Sequence, residues 1–87
     1  MKLACPCCGY KTFSEPYGSF NICPVCYWED DLIQLKDPIY EGGANGVSLA
    51  QAQKNFIAFG ACTQEMKRHV RNPTEAELKD GNWKPFQ

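Results

Sequence analysis

Six cysteines, one histidine and a run of three carboxylates are the residues of this 87-residue chain whose types and spacing suit chemistry. Four of the cysteines form two matched pairs. Two residues separate Cys5 from Cys8, and two separate Cys23 from Cys26, giving C-x2-C-x14-C-x2-C. Pro6 and Pro24 each follow the first cysteine of a pair. Proline presets φ and lacks an N–H, which suits the start of a tight turn with both sulfurs facing inward. Gly9 follows the first pair and is free to take a positive φ, folding the backbone back past the sulfurs. Two such turns, a hairpin apart, are the spacing that clamps one tetrahedral Zn²⁺ through four thiolates. The expected ligands are Cys5, Cys8, Cys23 and Cys26, with zinc as the cofactor. Iron also accepts four thiolates, and spacing does not separate the two metals.

Other cysteine chemistries leave different marks. Six cysteines in a short chain suit a secreted disulfide scaffold. Here residues 1–4 lead straight into the first turn without the apolar segment of a secretory leader, so a reducing, cytoplasmic location is expected. A redox CxxC opens a helix after a strand, whereas residues 10–13 read as a strand. Cys7 lies inside the first turn and Cys62 far along the chain. Their default role is that of small buried apolar residues. The sharper reading is a reactive thiol beside the metal, whose charge lowers a thiol's pKa.

The acidic run Glu29-Asp30-Asp31 follows directly on the second cysteine turn. It reads either as a solvated loop or as a docking surface for a basic partner. Its carboxylates are contiguous, unlike the alternating ligands of a calcium loop. Gly42-Gly43-Ala44-Asn45 lacks the pattern of a phosphate loop and reads as a turn into the next helix, with ligand gripping as the alternative. Lys67, Arg68, His69 and Arg71 form a small basic cluster. The lone His69 has the chemistry of a base or a metal ligand, but with four cysteines available it reads as a surface residue.

The elements that position these groups are short. Residues 2–4 and 10–13 should form a hairpin around the first turn, and residues 20–22 and 27–29 a second pair of strands around the other. Ser48 is an N-cap with Gln51 three residues on, and Leu49, Ala52, Phe56 and Phe59 repeat at helical steps. A helix over 48–59 is expected, closed by Gly60 and packed on the ribbon through Phe56 and Phe59, with Gln53 on its polar side. Further helical turns are expected over 61–71. Thr74 with Glu77 suggests a short helix to residue 79, and an aromatic tail over 82–87 packs back on the domain. The fold class is a small α+β, zinc-ribbon-like domain spanning residues 1–87, with Trp28 capping a small core.

A core this small needs a staple, which favours a metal independently of the motif. Nine basic against ten acidic residues give a net charge of −1, and this balance counts against nucleic acid. No apolar run reaches the length of a membrane span.

The residues Cys5-Pro6-Cys7-Cys8-Gly9-Tyr10, Ile22-Cys23-Pro24-Val25-Cys26-Tyr27-Trp28-Glu29-Asp30-Asp31, Tyr40-Glu41-Gly42-Gly43-Ala44-Asn45 and Phe59-Gly60-Ala61-Cys62, with Phe56 ahead of the last, resemble the cysteine-rich CPCC family. The resemblance covers residues 4–73. It implies a mostly bacterial set of small, zinc-binding proteins without an assigned activity, and it carries over no catalytic residue. It also implies that the acidic run and the Gly-Gly-Ala-Asn loop belong to the family's pattern. The expected function is binding another protein as an antitoxin, immunity or adaptor module, through residues 29–31 and exposed aromatics, rather than catalysis. Two alternatives stand beside it. One is a thiol-based redox or enzymatic role of Cys7 or Cys62; the other is a nucleic-acid-binding zinc ribbon. A four-thiolate zinc has no open position for water, which argues against hydrolysis at the metal.

Overall fold

Two short antiparallel strands, Leu3–Ala4 (β1) and Lys11–Phe13 (β2), frame the first cysteine turn. The structure, a computed structural model, describes residues 2–86. Leu3 pairs with Phe13 and Ala4 with Lys11, so the ladder carries a bulge between Leu3 and Ala4. The second expected pair of strands shrinks to a single bridge between Ile22 and Glu29. Phe20, at φ 59°, bends the chain there out of extended geometry. The hairpin and helices make a small α+β, zinc-ribbon-like fold.

Two helices follow. Leu32–Lys36 (α1) was not expected from the sequence. Its N-cap is Asp31, whose Oδ1 accepts from the backbone N–H groups of Ile33 at 2.9 Å and Gln34 at 3.3 Å. Leu49–Phe59 (α2) starts where the Ser48 cap places it, with Ser48 Oγ accepting from Gln51 N at 3.1 Å. Gln51 Nε2 donates one turn further on, to Asn55 Oδ1 at 2.8 Å. Gly60 closes α2 at φ 85°, its N–H donating to Phe56 O. Leu49, Ala52 and Gln53 are the buried residues of α2, and Phe56 meets Tyr10 edge to face at 6.4 Å. Gln53 therefore faces inward, contrary to its expected place on the polar side.

Gln64–His69 winds as a 3₁₀ helix. The helix expected from Thr74 does not form. Glu77 Oε1 accepts from Thr74 N at 2.9 Å, but only one turn closes. The chain then turns back, and Tyr10 bridges to Lys79. The aromatic tail does pack on the domain, although its last residue, Gln87, lies outside the described residues. Among the described residues, no helix is long and apolar enough to cross a membrane. The core holds all six cysteines together with Phe13, Val25, Trp28, Leu49 and Ala52, so the cysteine turns are themselves the centre of the packing.

Candidate metal centre

The two cysteine turns share one hydrogen-bond pattern. Cys5 N donates to Tyr10 O at 2.8 Å, and Gly9 N donates to Cys5 O at 2.7 Å. In the second turn Cys23 N donates to Trp28 O at 2.9 Å, and Tyr27 N donates to Cys23 O at 2.7 Å. Gly9 and Tyr27 occupy matching places, with φ 80° and 69°. Glycine takes that conformation freely, whereas tyrosine adopts it at a cost of about 1–2 kcal/mol. The Tyr27 ring stacks on His69 with centroids 5.0 Å apart, which places the only histidine on the outside of the second turn.

This geometry brings the sulfurs of Cys5, Cys8, Cys23 and Cys26 within 4.8 Å of one another, and each residue is 0 % exposed. Cys5 and Cys26 lie 3.5 Å apart, and Cys8 and Cys23 lie 3.8 Å apart. A disulfide needs about 2.05 Å, so these are not bonded pairs. A tetrahedron of sulfurs at a Zn–S distance of about 2.3 Å has edges of about 3.8 Å, and the observed spacings fit it. The donor set is all sulfur, closed to solvent and supplied by two rigid turns. It fits a structural, four-coordinate metal ion.

Burial and mutual hydrogen bonds push the cluster's thiols in different directions. Burial holds the Cys5 and Cys26 thiols well above the ordinary range. Cys23 is pulled the other way, first by hydrogen bonds from Cys26, Cys5 and Cys8. The Thr12 hydroxyl on β2 adds a further bond, donating to Cys23 Sγ at 3.2 Å. Four buried thiolates side by side are stable only around a positive charge. Thr12 orients one of the cluster's sulfurs, as groups around metal ligands commonly do, and no spacing rule in the sequence marked it.

The remaining expected residues fall in two sets. Cys7 and Cys62 are buried in the same core, outside the group of four. Cys62 N donates to Cys26 O at 2.8 Å, pinning the chain after α2 to the second turn. Burial pushes the Cys62 thiol up to about 12. The acidic run, by contrast, is largely buried. Asp30 is 1 % exposed and Asp31 is 7 % exposed. Asp30 Oδ2 accepts from Gly18 N at 2.8 Å and Ser19 N at 3.1 Å, fixing the loop between the two turns. Asp31 caps α1 with one oxygen and takes Ala44 N at 2.8 Å with the other. The expectation of an acidic surface at residues 29–31 is corrected here: two of the three carboxylates spend their charge on backbone N–H groups.

The Gly-Gly-Ala-Asn loop belongs to the same network. Asn45 Nδ2 donates to Glu29 O at 2.8 Å and to Gln34 Oε1 at 2.9 Å, and Glu29 N donates to Asn45 Oδ1 at 2.8 Å. Gln34, fully buried, donates through Nε2 to Tyr40 O and Val47 O, each at 3.0 Å. A Cβ at Gly43 would sit 2.6 Å from Asp31 Oδ2 and from the Gln34 side chain, so only glycine fits the close approach. The basic cluster does not reach the acidic run either. Arg71 forks onto Glu77, with N···O distances of 2.7 and 2.9 Å.

Two paired turns, a buried Trp28 with Asp30 and Asp31 behind it, and the Gly43–Asn45 contact with Gln34 follow one another along the chain. The sequence model described as Cysteine-rich CPCC matches residues 3–77. The chain belongs to the cysteine-rich CPCC family. The match takes in both cysteine turns, the capped α1, the glycine loop and α2, and it ends before the C-terminal tail. No curated protein matches the chain.

Proposed function

We propose that this CPCC protein is a small domain stapled by one zinc ion on Cys5, Cys8, Cys23 and Cys26, which acts by binding another protein. The single observation that carries the metal reading is the closed cluster of four sulfurs on two matched turns. A structural role suits it better than a catalytic one, because a closed all-sulfur shell leaves no position for water. Iron remains the chemical alternative. The zinc is structural on this reading, so its binding free energy is folding free energy. Such thiolates persist in a reducing compartment, which supports a cytoplasmic location.

The protein-binding reading is supported by apolar side chains left on the surface. Phe20 is 60 % exposed, Ile33 is 63 % exposed and Ile39 is 64 % exposed. An adaptor, antitoxin or immunity module would use such residues as its contacts. The thiol-based alternative is weakened by Cys62, whose burial keeps it protonated. The nucleic-acid alternative is weakened by the −1 net charge and by Arg71 being paired. The test is metal content per chain in protein purified without added metal, followed by Ile33→Ser and Ile39→Ser variants. One zinc per chain, retained in variants that lose a co-purifying protein, supports both halves. A chain without metal removes the first half, and variants that keep their partner remove the second.

A further inference from the structure

Each cysteine turn exposes backbone carbonyls on its outer side, and each has a cover. Over the second turn, Arg71 N donates to Pro24 O at 3.1 Å and Cys62 N donates to Cys26 O at 2.8 Å. Both of these donors lie within the family match. The first turn is covered by residues 78–86, which lie beyond it. Asp80 N donates to Gly9 O and Lys79 Nζ to Cys8 O, each at 2.8 Å. Trp83 Nε1 donates to Pro6 O at 2.8 Å, and Gln53 Nε2 donates to the same oxygen at 2.9 Å. Phe86 N closes the strap by donating to Gln53 Oε1 at 2.7 Å. At its start, Lys11 N donates to Leu78 O at 2.9 Å.

The fit is close. A Cβ at Gly9 would lie 2.7 Å from Trp83 Cγ, so the indole lies directly on the turn. The Lys79 ammonium sits 4.4 Å from the Trp83 ring centroid and 4.7 Å from that of Tyr10. Four thiolates around a divalent ion leave two negative charges, and Lys79 is the cation held against the first turn. The strap contains no helix or strand and leaves Leu78 and Phe86 exposed, the features of a segment that opens locally without global unfolding. With all four cysteines shut off from solvent, something must move before an outside ligand touches a sulfur.

We propose that residues 78–86 form a gate on the metal centre, and that its opening sets the rate at which an external chelator or thiol reaches Cys5 and Cys8. The inference rests on the metal reading above. Local opening that precedes capture makes exchange gated. The release rate then levels off at high chelator concentration, where it equals the opening rate. Trp83 is the main latch and Lys79 a secondary one.

The test uses the full-length, zinc-loaded chain and follows zinc transfer to a chromophoric chelator, 4-(2-pyridylazo)resorcinol, over a range of concentrations. The wild type should show a plateau. Trp83→Ala should raise that plateau by roughly tenfold or more, and Lys79→Gln by a few-fold, about the effect of losing buried hydrogen-bonded groups. Leu35→Ala, which weakens the packing of α1 on the core without removing any hydrogen bond of the strap, should leave it within about twofold. Amide exchange at Asp80 and Lys11 in the wild type, followed at a pH high enough that each opening leads to exchange, should run at the plateau rate, and this holds the test open if Trp83→Ala does not fold. A rate that climbs linearly with chelator, or an equal acceleration by Leu35→Ala, would overturn the gate while leaving the zinc site standing. A full-length chain that holds no metal would overturn both.

Discussion

Replacing Gln34 by leucine tests whether the family's acidic run and glycine loop are a scaffold rather than a surface. Gln34 is buried on α1, and its amide serves four backbone and side-chain groups. Leucine fills most of the same volume and answers none of them. Asn45 loses one of the two acceptors of its Nδ2 and the acceptor of its backbone N–H, both buried, at about 1–2 kcal/mol each. Tyr40 O and Val47 O lose their donor but stand nearer water, at about 0.5 kcal/mol each. Against about 3–5 kcal/mol lost, the added apolar burial returns about 1 kcal/mol. The net is about 2–4 kcal/mol, a large part of the roughly 4–13 kcal/mol expected for a chain of this length. Urea unfolding at fixed zinc concentration reads it directly. With a slope of about 1 kcal/mol per molar, the midpoint should fall by about 2–4 M. Asn45→Ala should cost a similar amount, and the double variant less than the sum, because the two residues share the same bonds. A loss below about 1 kcal/mol, or strict additivity of the pair, would refute the network.

Three further outcomes follow from the same geometry. Cys23→Ser should abolish metal binding and unfold the chain, whereas Cys7→Ser and Cys62→Ser should keep one metal per chain; metal analysis of the three purified variants separates them. At position 27 the left-handed backbone favours glycine, so Tyr27→Gly should be more stable than Tyr27→Ala by about 1 kcal/mol in thermal or urea unfolding, although both lose the His69 stack. The Arg71 guanidinium holds the Glu77 carboxyl at about 2. Its ordinary value is about 4.3, so the contribution is complete above that pH and is lost as the pH falls towards 2. The stability gap between wild type and Glu77→Gln should be constant near neutrality and narrow through that acid window.

What the sequence disclosed was carried by local signals. The cysteine spacing with Pro6 and Pro24 located the four-sulfur cluster, and Ser48, the apolar steps of α2 and Gly60 located the longest helix with its ends. These features act over a few residues, and their physics is complete within that distance. The errors came from side chains whose partners are distant in sequence. Asp30 and Asp31 read as charge for solvent, yet their targets are N–H groups at residues 18, 19, 33, 34 and 44. Gln53 reads as polar surface, but a buried amide bonded to Pro6 O and Phe86 N looks no different in a sequence. Helix α1 has five residues, too few for a period to show, and its cap was hidden inside the acidic run. Tyr27 concealed the match between the two turns, because a tyrosine gives no hint of positive φ. The strap's hold on the first turn rests on contacts such as Trp83 with Pro6, across most of the chain.

The central claim is a closed shell of four sulfurs around one zinc ion, and X-ray absorption on the metal as purified tests it most directly. The edge identifies the element. The first shell should contain four sulfurs at about 2.3 Å and no lighter ligand. A nitrogen or oxygen ligand in that shell, fewer than four sulfurs, or a chain carrying no metal would contradict the account.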